Sequence, residues 1–295
     1  MARGKLDAGA RLGRSVKVRS LLPPATGERQ RRDEPTPMRA PDRPRVGETR
    51  EDPKYRHYPE ARFGGFADVD QVTVFYTRVR ALIEPSFTVL DIGCGRGKQA
   101  DDPVPTRRRL KTLNDACDRL IGIDLDPGAS ENPCIDEFRM IRPHEAWPLE
   151  DASIDLALSD YVLEHVDDPR LFFSECRRVI RVGGILCMRT TNVLSYFGLA
   201  SLLTPDTAHA AIIGHVYTRP RRTGDIFPTR YRCNTLRAVR SMLERHGFDH
   251  CVYGYQSDPA HFGFSRILYA LGVLHQRLAP SAIKPAIFAF AERGS

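Results

Sequence analysis

Residues 87–97 read FTVLDIGCGRG, a short β-branched and apolar run that ends in an acid and then in glycines at alternate positions. Such a run reads as a buried strand handing over to a turn, and glycine lets the backbone approach a ligand where any Cβ would collide. The surrounding pattern decides the fold class. Strand-like runs recur at 119–124, 138–141, 153–159, 184–191, 251–256 and 286–292. Between them, apolar residues take helical spacing: Val72, Phe75, Val79 and Leu82 before Pro85; a basic stretch at 106–118; Phe172, Cys176, Val179 and Ile180 between Asp168-Pro169 and Gly183; Leu236, Val239 and Leu243 before Gly247; and an amphipathic stretch at 264–278. Repeated β-α units require a mainly parallel sheet, helices on both faces and right-handed crossovers. The expectation is an α/β, doubly wound, Rossmann-like domain in three αβα layers.

Residues 1–53 differ from the rest. They are rich in Arg and Pro and lack a periodic apolar face, so they cannot bury enough surface to offset their ordering entropy. They read as a disordered basic tail, either a solvated leader or an arm for anionic surfaces, ahead of one domain at 54–295. The charge agrees with this division: residues 1–50 hold 13 basic and 6 acidic side chains, while the other 245 hold 31 of each. The net charge of +7 therefore describes the tail, and a specific nucleic-acid face on the domain is not expected. Residues 192–232 break the β-α rhythm with an apolar start and an Arg-rich end, as an insertion or acceptor lid would. Seven scattered cysteines without a CxxC pair suit free thiols. No apolar run reaches bilayer length, and Leu21-Leu22 is too short for a secretion signal, so a cytoplasmic protein is expected.

The glycine loop discriminates between nucleotide ligands. A dinucleotide fingerprint is G-x-G-x-x-G, which would put its third glycine at Lys98; here the spacing is G-x-G-x-G, with Gly93, Gly95 and Gly97. Asp91 at the mouth of the loop would repel a pyrophosphate and attract an ammonium or sulfonium. S-adenosylmethionine carries both cations and no phosphate. At the end of the second strand, Asp124 in IGIDLDP is placed to accept bonds from two ribose hydroxyls.

At these residues the chain resembles the class I S-adenosylmethionine-dependent methyltransferases. VLDIGCGRG looks like the first motif, IGIDLDP like the second, and AWPLEDASIDLALSDYVLEHVDDP like the third and fourth. ECRRVIRVGGILCMRTTN resembles the helix, turn and fifth strand of the type 11 subgroup. The likeness covers residues 87–192 well and 234–256 loosely. It implies a seven-stranded sheet with a final antiparallel strand, S-adenosylmethionine as cofactor, and cofactor contacts from Asp91, Gly93, Gly95, Gly97, Asp124 and Leu125, with Asp160 at the end of the fourth strand as a further candidate. Three features depart from the family. Pro103 and Pro105 displace the helix that normally succeeds the glycines, within a 27-residue span from Gly97 to Asp124. Pro143 stands where an acid usually meets the adenine amino group, so backbone near His144 or another side chain is expected there. Ser159-Asp160-Tyr161-Val162 replaces the Asn/Asp-Pro-Pro-aromatic run of nucleic-acid amino methyltransferases, which argues against base methylation.

Methyl transfer from a sulfonium is an in-line displacement, so the protein chiefly aligns and dries the reactants. A hydroxyl acceptor also needs a base. The candidates are His165, His209 and His215, with Tyr217, Asp225 and Tyr231 as orienting groups in the insertion; the plainer reading makes His165 a structural hydrogen-bonding residue and the others surface loop. No metal is expected, since Asp101-Asp102 and Asp167-Asp168 are isolated pairs. The acceptor expected is a small molecule, a glycan or a lipid-linked precursor. VLSYFGLASLL (193–203) and ILYALGVL (267–274) suit apolar contact, peripheral membrane contact included, although either could be ordinary core helix. The alternatives are a Rossmann-type NAD-dependent oxidoreductase, or a non-catalytic S-adenosylmethionine-binding protein that docks through its basic tail.

Overall fold

The computed structural model describes residues 52–196, 198–199 and 228–295. The tail up to residue 51, most of the insertion, and with it His209, His215, Tyr217 and Asp225, lie outside the described residues.

The sheet has seven strands: β1 (Thr88–Ile92), β2 (Arg119–Asp124), β3 (Glu137–Met140), β4 (Ile154–Asp160), β5 (Ile180–Thr191), β6 (Phe248–Tyr255) and β7 (Ala286–Arg293). Their order is β3-β2-β1-β4-β5-β7-β6, with β7 antiparallel to both neighbours and the first five strands parallel. The doubly wound fold with a final antiparallel strand is as expected. The chain reverses direction across the sheet between β1 and β4, and in open α/β sheets the ligand crevice forms at the strand ends there.

The sheet is flanked by α1 (Pro53–His57), α2 (Gln71–Leu82), α3 (Pro105–Lys111), α4 (Pro169–Val179), α5 (Leu236–Arg245) and α6 (Arg266–Leu278). Side chains alternate across each strand, and this sorts the core into two layers. Leu90, Ile92, Ala157, Leu186 and Met188 point to the layer with α4 and α5. Val89, Leu156, Leu158 and Cys187 point to the other, against Phe75, Tyr76 and Val79 of α2. A smaller cluster, Tyr58, Ala61, Ala67, Tyr269 and Val273, joins α1 to α6. All seven cysteines are unpaired.

The local signals explain most boundaries. Asp70, Asp168 and Thr235 cap α2, α4 and α5 by accepting backbone N–H bonds. Asp52 caps α1 in the same way, so Pro53, expected in the tail, is the first residue of a helix. Two expectations need correction. The 106–118 helix stops at Lys111, because the Arg80 guanidinium takes the carbonyls of Arg109, Leu110 and Thr112 that a longer helix would use. Gly183 does not end α4, which stops at Val179; residues 180–182 already run in β5, and Gly183, at φ 73°, lies beside a register shift between β4 and β5.

Candidate active site

The glycine loop is held from below and open above. Gly93 and Cys94 donate N–H bonds to the Ile123 carbonyl (2.8 and 3.2 Å), tying the loop to β2. Buried Asn132 holds it from the side: its Nδ2 donates to the carbonyls of Cys94 (2.9 Å) and Gly95 (3.1 Å), while its Oδ1 accepts from Cys134 N. All three glycines have positive φ, for different reasons. A Cβ on Gly93 would sit 2.5 Å from Val162, and one on Gly97 2.6 Å from Asn132 and Pro133, so these two glycines serve packing. A Cβ on Gly95 would meet nothing within 4 Å. Gly95 is therefore the place where the loop offers bare backbone to a ligand.

That open space belongs to a cavity of about 470 Å³. Its wall includes the loop from Ile92 to Arg96, Asp124 and Leu125 after β2, Pro143 and His144 after β3, and Tyr161, Val162 and His165 after β4. Trp147, Leu171 and Phe172 supply an apolar side, with exposed Leu125 at the rim. The volume and the mix of apolar wall with a few convergent polar groups suit a nucleoside-sized ligand.

Asp124, only 8% exposed, uses one lone pair of each oxygen on the protein: Oδ2 accepts from Gly95 N and Oδ1 from Asp126 N, both at 2.9 Å. A carboxylate oxygen has a second lone pair, so Asp124 can position the loop and accept ligand hydroxyls together. Asp126 in turn receives Arg96 at 2.8 Å, which folds that side chain over Gly128.

The acids on the other face of the sheet behave differently. Asp91 follows the parity of Val89, so its side chain lies on the α2 side, and neither it nor Gly97 is on the cavity wall. Among the described residues its carboxylate has no hydrogen-bond partner. Burial, then Asp160, then Asp124, push its carboxyl up to about 7. Asp160, expected to touch the cofactor, is instead committed to the protein. Its two oxygens take Arg189 Nε and Nη2 at 2.7 Å each, the Tyr76 hydroxyl donates to it at 2.8 Å, and it is not on the cavity wall. Arg189 is 3% exposed and lies against the rings of Phe75, Tyr76 and Tyr161. Sequence reasoning did not single out Arg189 or Tyr76; an arginine directly after the apolar run Ile185–Met188 of β5 was the available signal.

His165 closes the cavity on the β4 side. Its Nδ1 lies 3.1 Å from the Pro228 carbonyl, which can only accept, so Nδ1 is the donor and the neutral ring is held as the Nδ1–H tautomer. Its neighbour Glu164 is buried, accepts from the hydroxyls of Thr190 and Thr191, and is pushed up by burial. Tyr231, expected in the lid, donates its backbone N–H to the Glu164 carbonyl, as does Arg230. Among the described residues no group of three or more His, Cys, Asp or Glu could hold a metal ion.

Comparison with known proteins gives this cleft a context. Residues 90–188 match the family profile described as "Methyltransferase domain". The chain is 33% identical over 116 residues to a malonyl-[acyl-carrier protein] O-methyltransferase of Hahella chejuensis, covering 38% of this chain and 39% of that protein. It is 33% identical over 106 residues to a ubiquinone biosynthesis O-methyltransferase of Rhizobium leguminosarum bv. trifolii, covering 35% and 40%. The chain thus spans about two fifths of the length of the curated relatives it matches. A solved S-adenosylmethionine-dependent methyltransferase from Mesorhizobium loti superimposes with a TM-score of 0.47 at 17% identity, over 76% of this chain and all of that one. The matched segment starts within β1 and runs through the glycine loop, β2, β4 and α4 into β5, so residues 90–188 carry the core of a methyltransferase domain.

Proposed function

We propose that the protein transfers a methyl group from S-adenosylmethionine to a small-molecule, glycan or lipid-linked acceptor. The observation that carries the reading is the bare Asp91 carboxylate behind a glycine with open space above it. A desolvated acid without a hydrogen-bond partner, crowded by two other carboxylates, favours a cationic ligand and penalises a diphosphate. The residues present fit the cofactor. Gly95 leaves room for the nucleoside, Asp124 retains a lone pair on each oxygen for ribose hydroxyls, and Leu125 with Phe172 and Trp147 offers apolar contact to adenine. Pro143 brings no side-chain acceptor to that end, so the backbone around His144, held at φ 62°, is left to meet the adenine edge. Asp91, Gly93, Gly95, Gly97, Asp124 and Leu125 are the cofactor residues of this reading; Asp160 supports them by holding Arg189 in place.

Bound S-adenosylmethionine supplies a methyl group on a sulfonium, which is a good leaving group. The chain's own part is to align the acceptor, exclude water and take a proton. For a hydroxyl acceptor, His165 would take the released hydroxyl proton at Nε2, with the Pro228 carbonyl keeping the ring in the required tautomer, and the methyl would leave the sulfonium sulfur as a neutral thioether departs. His215 and Tyr217 remain candidates for acceptor contact from the insertion. The O-methyl acceptors named for two relatives favour this oxygen chemistry.

A thermal-shift titration tests the cofactor reading, since a ligand of the native state stabilises it by about 2.7 kcal/mol at a hundredfold excess over Kd. S-adenosylhomocysteine should raise the melting temperature and NAD should not. A rise with NAD alone would overturn the proposal and restore the oxidoreductase alternative.

A further inference from the structure

The largest unexplained surface feature is α6. Tyr269, Gly272 and Val273 face the protein, yet the opposite side presents Ile267 at 75%, Leu271 at 56%, Leu274 at 53% and Leu278 at 72% exposure, with Phe264 at 77% just before it. These positions recur every three or four residues, so they form one stripe along the helix. An exposed stripe of this size is uncommon on a monomer unless it is used.

The surrounding charge selects the occupant. From Pro259 to Ala291 there is no Asp or Glu, whereas Arg266, Arg277, Lys284, His261 and His275 are all present. Arg266 and Arg277 stand about three helical turns apart on the same flank of the stripe, both exposed. On the buried side α6 packs on α1, where His57 stacks on Tyr269 at 5.7 Å; burial, Arg56 and Arg277 together hold the His57 imidazole below its usual range, so the two guanidiniums face one region. The acids near this helix, Asp258 and Asp52, act on Tyr269 on its buried side, so an apolar stripe flanked on its own helix by arginines matches the two requirements of an anionic membrane interface, acyl chain for the leucines and phosphate for the arginines. Among the described residues no helix is long and apolar enough to cross a membrane, so the contact would be lateral.

The stripe is also tied to the catalytic cleft. The Tyr269 hydroxyl donates to Asp258 Oδ2 (3.4 Å), Ser257 Oγ donates to Asp258 Oδ1 (3.1 Å) and accepts from Gln71 N (3.4 Å), and Gln71 Oε1 accepts from the hydroxyl of Tyr161 on the cavity wall (3.1 Å). Tyr196, at the start of the insertion, donates or accepts at His261 Nε2 (3.0 Å) and stacks on Phe262. We infer that α6 is a docking face for anionic phospholipid, on which the apolar stripe of Ile267, Leu271, Leu274 and Leu278 enters the headgroup region and Arg266 and Arg277 pair with lipid phosphate.

The full chain sedimented with vesicles of phosphatidylcholine containing about 30% phosphatidylglycerol, and with vesicles of phosphatidylcholine alone, provides the test. Binding should be at least tenfold stronger to the anionic vesicles, and raising salt should weaken it. Ile267→Glu with Leu271→Glu should lose tenfold or more, and Arg266→Glu or Arg277→Glu about fivefold each, at about 1 kcal/mol per basic residue. These positions are exposed, so the thermal shift given by S-adenosylhomocysteine should be unchanged in every variant; that readout separates failure of docking from failure of the cofactor reading. Equal binding by the variants, or no vesicle binding at all, would overturn the inference. So would sedimentation velocity showing a wild-type dimer that Leu271→Glu turns into a monomer, because a second copy would then be the occupant.

Discussion

Asp91 can be tested by proton competition. With its carboxyl at about 7 in the ligand-free protein, roughly one molecule in eleven has it ionised at pH 6 and roughly ten in eleven at pH 8. A cationic ligand that needs the ionised form should therefore bind about tenfold more tightly at pH 8 than at pH 6, a difference of about 1.4 kcal/mol. The ligand's own α-amino group titrates near 8, which trims the gain at pH 8 to about fivefold and makes affinity fall above that pH. Calorimetric titration of S-adenosylmethionine in two buffers of different ionisation enthalpy reads both quantities, and at pH 6 it should report release of nearly one proton on binding. Asp91→Asn should bind more weakly at pH 8, with the rise between pH 6 and 8 gone and the upper limb retained. The stability effect has the opposite sense to affinity. The folded-state value lies above the unfolded one, so the ionised acid opposes folding, and stability falls as pH rises from about 4 to about 7. The cost above pH 7 is up to about 4 kcal/mol before screening by the solvent that reaches this part-buried residue. Asp91→Asn should thus melt higher than wild type at pH 8, with a smaller gain at pH 5. A wild-type affinity that is flat from pH 6 to 8, with no proton released, would refute the placement of a cation beside Asp91.

Other substitutions separate packing from binding. Gly95→Ala should lower stability by about 1–2 kcal/mol through its φ of 54° and cut S-adenosylhomocysteine affinity, whereas Gly93→Ala should cost more stability because its Cβ would meet Val162 at 2.5 Å; melting temperature against affinity distinguishes them. Asn132→Ala leaves the carbonyls of Cys94 and Gly95 without their donor, and should destabilise by about 1–3 kcal/mol in urea unfolding. Arg189→Met strands Asp160 and should cost about 3–5 kcal/mol, with Arg189→Met and Asp160→Asn together costing less than the single change. His165→Gln should reduce kcat for a hydroxyl acceptor by about a hundredfold or more while leaving S-adenosylhomocysteine binding intact.

The elements that could be read from sequence are those whose causes are local. β1, β2, β4 and β7 are short, largely apolar runs, and α2, α4 and α5 have their capping residue and apolar face in adjacent sequence, so their positions come from period and punctuation. The misplaced ends have distant causes. The end of α3 depends on Arg80, some thirty residues earlier, which takes the carbonyls of the last turn. The start of β5 depends on Ile180 pairing with Ile154 before the register shifts, and nothing in VIRVGG marks that pairing ahead of the glycines.

The same division runs through the site. The glycine spacing and Asp124 were legible because the ligand-facing backbone and the acid at the β2 edge belong to contiguous motifs. The partners of Asp160 were not legible because they are decided across the sheet: its register partner in β5 is Arg189, and Tyr76 reaches it from α2. Asp91 bears the consequence. Arg189 is held by Asp160 through two hydrogen bonds, while the Asp91 carboxyl is raised by burial and by its neighbours Asp160 and Asp124. Lys111 acts on Asp160 and Arg189 as well, yet the charged groups that act on Asp91 are the acids Asp160 and Asp124, and an acid crowded by acids favours a positively charged ligand. Neutralising the wrong partner should therefore matter as much as removing the right one: Asp160→Asn frees Arg189 to pair with Asp91, and should weaken S-adenosylmethionine binding although Asp160 lies off the cavity wall.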